Sequence, residues 1–117
     1  MKIGVPKEIK IKENRVGLVP AGVRQLVKDG HELYVQTNAG IGIGISDQDY
    51  INAGAKILPK AEDVFDKAEI IVKVKEPQPF ELAMLRPRHI LYTYLHLAAD
   101  LELTRGLMKT CCTGVAY

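Results

Sequence analysis

Arg15, Lys75 and His96 carry three complementary chemistries, and each lies downstream of an apolar run that reads as a strand. Lys75 directly follows "IIVKV" and precedes Glu76-Pro77, while His96 directly follows "ILYTYL". Arg15 lies further on, in the connection between "KIGV" and the first helical pattern. In open parallel sheets, ligands collect beyond the carboxyl ends of the strands, so these residues are placed to overhang one sheet edge. Arginine grips a carboxylate through two hydrogen bonds from a planar fork. Lysine is a compact charge that polarises a carbonyl. Histidine gives or takes a proton near neutral pH. Together the set suits a small 2-oxo acid. Each residue also has an ordinary reading. Arg15 in "KENRVG" reads equally as a surface residue, Lys75 as a strand-end side chain lying on apolar surface, and His96 as a structural histidine. Residue types and order leave both readings open. His31 and His89 each precede a strand and have no evident partner.

The elements that must position these residues alternate along the chain. "KIGV" (Lys2 to Val5) is a short strand stopped by Pro6. "PAGVRQLVKDG" is a helix, with Pro20 at its first position and Gly30 at its C-terminal cap. Val19 falls at the N-cap and offers no side-chain acceptor. "HELYVQ" alternates as a strand. "SDQDYINAG" is a short helix with Ser46 and Asp49 at capping-box spacing. "AKIL" is a strand, "AEDVFDKA" a helical turn or two, and "EIIVKV" (Glu69 to Val74) a strong β-branched strand. "PFELAMLR" is a short helix and "HILYTYL" a strand. "DLELTRGLMK" is a helix capped by Asp100, and "TGVAY" a final strand. This order predicts an α/β fold: a largely parallel sheet with helices on both faces.

The chain has 117 residues, one domain's worth, and 47% hydrophobic with 26% charged residues places it among globular proteins rather than disordered ones. A net charge of +2, with basic and acidic residues interspersed as in "KEIKIKENR", argues against nucleic acid as a partner. That stretch reads as a solvated surface. No apolar run reaches the length of a membrane span, and "MKIGVPKEIK" lacks the apolar core of a secretory signal, so a cytoplasmic location is expected. The two cysteines, Cys111 and Cys112, are adjacent; that spacing suits neither a relaxed disulfide nor a metal site, and they read as small apolar residues near a helix end. No metal is expected.

"NAGIGIGIS" invites a nucleotide reading, since Gly40, Gly42 and Gly44 follow a strand and precede a helix. The spacing is G-x-G-x-G, however, and the third position of the dinucleotide fingerprint falls on Ile45. A structural loop is the expected reading. No other stretch matches better, so a dinucleotide site is expected to lie outside these residues.

Several separated segments resemble the alanine dehydrogenase and nicotinamide nucleotide transhydrogenase N-terminal domain family. They are "MKIGVPKEIK…ENRV", "PAGVRQLVKDGHE", "SDQDY…AGA", "VKVKEP" and "TYLHLAAD". The resemblance spans nearly the whole chain and is closest to the alanine dehydrogenase branch. It implies that residues 1–117 are the N-terminal part of the substrate domain of a longer enzyme, whose Rossmann domain is absent from this chain. The chain's stop at Tyr117 on a strand pattern gives the same expectation. The activity implied is reversible NAD-dependent deamination of L-alanine to pyruvate and ammonia. By the same resemblance Arg15 binds the substrate carboxylate, Lys75 contacts the substrate and His96 is the acid/base. NAD and an additional aspartate would come from the missing domain, leaving this fragment inactive alone. A homo-oligomer, hexameric by resemblance, is also implied. "GLVP" departs from the family pattern, which has a threonine before the proline, and this touches capping more than chemistry.

Other readings stay open at this stage. The transhydrogenase α subunit shares the opening motif but is not associated with the histidine of "YLHLAAD". Lysine-pathway dehydrogenases are more distant. A non-catalytic module that binds a small acid or assembles with partners belongs to a different class.

Overall fold

The apolar runs become six strands: β1 Lys2–Val5, β2 Glu32–Gln36, β3 Lys56–Leu58, β4 Ile70–Val72, β5 Ile90–Thr93 and β6 Thr113–Ala116. Between them lie α1 Pro20–Lys28, α2 Asp47–Asn52, α3 Ala61–Lys67, α4 Pro79–Leu82 and α5 Leu101–Thr110. These are seen in a computed structural model that describes residues Met1–Tyr117. Every neighbouring pair of strands is parallel, and their order is β3-β2-β1-β4-β5-β6. The order reverses between β1 and β4. In such sheets the connections leave those two strands in opposite directions, and a crevice opens beyond their carboxyl ends.

Helices cover both faces. On one, Val5, Val23, Leu33, Val35, Tyr50 and Val72 form the larger core, with Leu26 and Val27 of α1 against it. On the other, Phe65, Ile71, Leu85 and Leu91 pack with Leu82 and Leu107. Ile71 and Val72 are neighbours in sequence and serve opposite cores, as the two-residue period of a strand requires. The first face is left uncovered over β5 and β6. There Tyr92, Tyr94 and Tyr117 are exposed by about two-fifths each. Their rings stack, with Tyr117 centred 4.5 Å from each of the other two. No helix is long and apolar enough to cross a membrane.

Local chemistry accounts for the element ends. Ser46 and Asp49 form the reciprocal capping box. Asp100 accepts from the Leu103 amide at 3.0 Å and caps α5. Val19 stands at the N-cap of α1 without a side-chain bond, and Pro20 follows. The Tyr50 hydroxyl instead ties this start down, donating to the Leu18 carbonyl at 2.7 Å. The helix expected over "PFELAMLR" is only Pro79–Leu82. Pro87 disfavours helical backbone at Arg86, and the Arg86 amide turns to His89 Nδ1 at 2.9 Å.

The strand expected over residues 69–74 ends at Val72. Beyond it the amides of Val74 and Lys75 leave the ladder and donate to the Glu8 carboxylate, at 3.1 and 3.0 Å. Pro6 has stopped β1, and Glu8 supplies acceptors where that strand's carbonyls run out. This corrects the reading of "KEIKIKENR" as a solvated surface: Glu8 is 6% exposed. Its charge is met by Lys73, whose Nζ lies 3.1 Å from Glu8 Oε1 and 3.0 Å from Glu81 Oε2, with all three side chains 1% exposed. Glu81 also accepts from the Gln78 amide at 2.9 Å, tying α4 to the network. Burial pushes the Glu81 carboxyl above its ordinary range, against the pull of Lys73.

Removing one member of a buried ion network strands the others. Lys73→Met should therefore cost about 3–5 kcal/mol in urea unfolding near neutral pH. The loss relative to the parent should shrink as the pH falls and the Glu81 carboxyl, raised by burial, takes up a proton. An unchanged unfolding midpoint would show that the network contributes nothing to stability.

Candidate functional site

The connection from β1 to α1, residues 6–19, crosses the carboxyl edge of the sheet at the switch point. Two glycines let it lie close. A Cβ on Gly17 would meet the Val72 carbonyl oxygen at 2.5 Å, so the connection rests on the end of β4. A Cβ on Gly42 would meet the Asn14 backbone oxygen at 2.9 Å. Gly42 of the glycine-rich loop thus packs directly on the segment that carries Arg15, an approach that a side chain would block.

Arg15 is exposed and its guanidinium is held side-on by Glu13. Nε donates to Glu13 Oε2 at 3.0 Å and one Nη to Oε1 at 2.8 Å, while the Arg15 amide also reaches Oε2 at 2.9 Å. These bonds from Arg15, with the nearby charge of Lys75, bring the Glu13 carboxyl down to about 2 against the opposing effect of burial. The second Nη of Arg15 makes no bond within the chain. The end-on edge of the fork remains available to another carboxylate.

Lys75 stands at the centre. With Arg15, Glu13 and Lys10 it lines an open cleft of about 530 Å3. With His96, Glu76 and Lys10 it lines a second of about 360 Å3. Its peptide is fixed on both sides: Glu8 takes the amide, and the Thr93 hydroxyl donates to the carbonyl at 2.8 Å. The Lys75 ammonium itself makes no ion pair.

His96 follows β5 in left-handed backbone, with φ of 51°. That conformation is uncommon for a residue with a Cβ, and it turns the chain sharply into the 3₁₀ turn Leu97–Ala99. The imidazole is exposed and lies 5.9 Å from the Tyr94 ring, centre to centre. Arg15 and His96 share no cavity. Lys75 and Lys10 are the residues common to both clefts, and the Tyr94 ring lies beside His96.

The sequence reading missed Lys10, Glu13, Glu76 and the support beneath Lys75. Lys10 pairs with Glu76 across the mouth of the second cleft. Burial raises the Glu76 carboxyl, but the bond from Lys10, a backbone hydrogen bond and the Lys10 charge together bring it below its ordinary range. The alternation of charge in "KENR" is the signal available for Glu13. None exists for Glu8, whose partner Lys73 is 65 residues away. His89 is a satisfied structural histidine. It is buried, its Nε2 lies 2.7 Å from the Phe65 carbonyl and burial lowers its pKa. Cys111 and Cys112 are free thiols at the end of α5. No cluster of metal-ligating side chains is present.

Comparison with known proteins agrees with this architecture. The chain is 51% identical to alanine dehydrogenase of Methanococcus maripaludis and 50% identical to that of Bacillus subtilis, over all of its length and 31% of theirs. It therefore spans about a third of the curated relatives it matches. A solved L-alanine dehydrogenase superposes with a TM-score of 0.97 at 53% identity, covering 100% of this chain and 32% of that one. A transhydrogenase from Sinorhizobium meliloti superposes with a TM-score of 0.91 at 27% identity, covering 99% and 34%. The family described as alanine dehydrogenase/PNT, N-terminal domain, matches residues 4–117. With the family match over residues 4–117, the sequence identities and the superposition in agreement, this chain belongs to the alanine dehydrogenase/PNT N-terminal domain family.

Proposed function

We propose that this chain is the N-terminal part of the substrate domain of an NAD-dependent alanine dehydrogenase. The reaction is the reversible deamination of L-alanine to pyruvate and ammonia. The observation that carries the reading is the placement of Lys75, shared by one cleft with Arg15 and by the other with His96. A small oxo acid needs three things: a fork for its carboxylate, a cation at its carbonyl oxygen and a group that moves a proton.

In this reading the free edge of Arg15 binds the substrate carboxylate, and Glu13 holds the guanidinium in place from the other edge. Lys75 is the substrate-binding cation that draws electron density from the ketone oxygen and makes the carbonyl carbon open to ammonia. His96 takes or returns the proton as the addition product forms and collapses. Fixing these groups converts a meeting of several reactants into a positioned one. The residues of this chain do not build a dinucleotide cradle, because the glycine loop is packed against Asn14 and the first strand–helix connection has no G-x-G-x-x-G. NAD, which accepts the hydride, therefore belongs to the remainder of the full-length protein. The alternative of hydride transfer between two nucleotides needs no proton-moving group at His96. Identities of 51% and 50% to alanine dehydrogenases, against 27% to the solved transhydrogenase, favour the amino-acid reading.

The test uses the full-length protein and follows NAD reduction with L-alanine. Lys75→Ala and His96→Ala should each lower turnover by roughly 100- to 10,000-fold, the range for one general acid/base. Arg15→Ala should chiefly raise the KM for alanine and pyruvate. Near-normal turnover in Lys75→Ala or His96→Ala would remove that residue from the chemistry.

Glu13 gives a separate pH signature. Its folded value is depressed, so its contribution to stability is complete above the ordinary 4.5 and is lost as the pH falls through about 2. The gap in melting temperature between parent and Glu13→Gln should be constant from neutral pH to about 5 and close over that acid window. A gap that does not change with pH would show that Arg15 does not hold Glu13 through its charge.

A further inference from the structure

We infer that Glu8 and Thr93 form a peptide clamp that aims the Lys75 side chain into the two clefts, making them positioning residues for the reaction proposed above. The inference rests on that reading of Lys75.

Lysine has a long, freely rotating side chain, so its reach is decided by the direction in which its Cα–Cβ bond leaves the backbone. At Lys75 that direction is not set by the sheet. The regular ladder of β4 ends at Val72, before Lys75. Past that point the β5 main chain still accepts from the Lys73 amide and donates to the Val74 carbonyl, but both polar groups of Lys75 itself meet side chains. From the β1 side, Glu8 Oε1 accepts the Lys75 amide at 3.0 Å and Oε2 accepts the Val74 amide at 3.1 Å. From the β5 side, the Thr93 hydroxyl donates to the Lys75 carbonyl at 2.8 Å. Both polar groups of one peptide residue are thereby held by buried side chains, with Glu8 6% and Thr93 0% exposed.

The clamp is itself fixed. Lys73 Nζ neutralises Glu8 from below and ties it to Glu81, while the Tyr117 hydroxyl donates to the Lys73 carbonyl at 2.6 Å. Thr93 is set by β5, where it lies in register with Ala116 of β6. Two buried carboxylates on one lysine are a costly way merely to fill a core. The arrangement does give an extended backbone that leaves its ladder a rigid direction. Reacting groups tolerate little misplacement, and a shift of about 1 Å can cost roughly 100-fold in rate.

A double-mutant cycle in the full-length protein tests this. Thr93→Val removes the donor and keeps the branched shape, so kcat/KM for alanine should fall roughly 10- to 100-fold. The KM for NAD should stay unchanged, and Thr93→Ser should restore the parent rate. In a Lys75→Ala background, adding Thr93→Val should change the residual rate by less than about 2-fold, because the group being aimed is gone. Glu8→Gln gives an independent arm with the same expected loss and the same disappearance in Lys75→Ala. Melting temperatures identify any variant that fails to fold, and the other arm then decides. Losses that multiply with Lys75→Ala, or a Thr93→Val enzyme at the parent rate, would overturn the clamp. If instead Lys75→Ala keeps the parent rate, the reading of Lys75 falls and the clamp with it, an outcome distinct from failure of the clamp alone.

Discussion

The constraint on which the rest of the structure depends is the parting of β1 and β4. Two parallel strands that pair at Ile3 with Ile70 and Gly4 with Ile71 must separate for a crevice to exist. Each residue past the parting point then loses its ladder partner in a place that water barely reaches. A buried amide without an acceptor costs about 1–3 kcal/mol, so the parting is tolerable only if something replaces the lost carbonyls. Glu8 does this with both carboxylate oxygens. Its burial in turn requires a cation, Lys73, and that cation draws in Glu81 from α4. Three charges inside the protein are thus consequences of one topological event.

The same event explains why the cationic residues gather where they do. The connection leaving β1 and the segment leaving β4 emerge on the same edge, one carrying Lys10 and Arg15, the other Lys75 and Glu76. β5, next in the sheet, ends in His96. Residues far apart in sequence meet because parallel strands all end on one side. Their positive charge is moderated rather than left bare. Glu13 takes one edge of Arg15 and Glu76 takes Lys10, while Lys75 and Lys12 line the same cleft without an ion pair. An anion entering the crevice therefore meets cations that no carboxylate of the chain has already answered.

Much of this was legible in the sequence, for stated reasons. Strands buried on both faces read as β-branched runs, and the capping residues Ser46 and Asp100 fall where their chemistry demands. The placement of Lys75 and His96 past strand ends followed from order alone. What the sequence could not show was pairing at a distance. In "KEIKIKENR" every second or third residue is charged, and nothing local separates buried Glu8 from exposed Lys7 and Lys10. Lys73 posed the converse problem. Within "IIVKVK" it alternates like a solvent-facing strand residue, yet it is 1% exposed, because the carboxylates that accept it come from two other elements. The spacing in "GIGIG" departs from that of a phosphate loop, but the close approach of Gly42 to Asn14 appears only in three dimensions.

Scaffold and site in this family answer to different demands, and the comparisons make the separation measurable. At 27% identity the solved transhydrogenase still superposes with a TM-score of 0.91. Apolar patterning and total volume suffice to keep a two-faced parallel sheet, so most core positions can change without moving the strand ends. Residues beyond those ends meet no such packing rule. They are bound only by the chemistry carried out there, which is how one fold comes to host different reactions. The Glu8–Lys73–Glu81 network lies on the boundary between the two. It is buried like scaffold, yet its carboxylate holds the backbone from which Lys75 projects. A scaffold of this kind does more than keep a crevice open: it transmits the geometry of the sheet to a side chain that the sheet no longer touches.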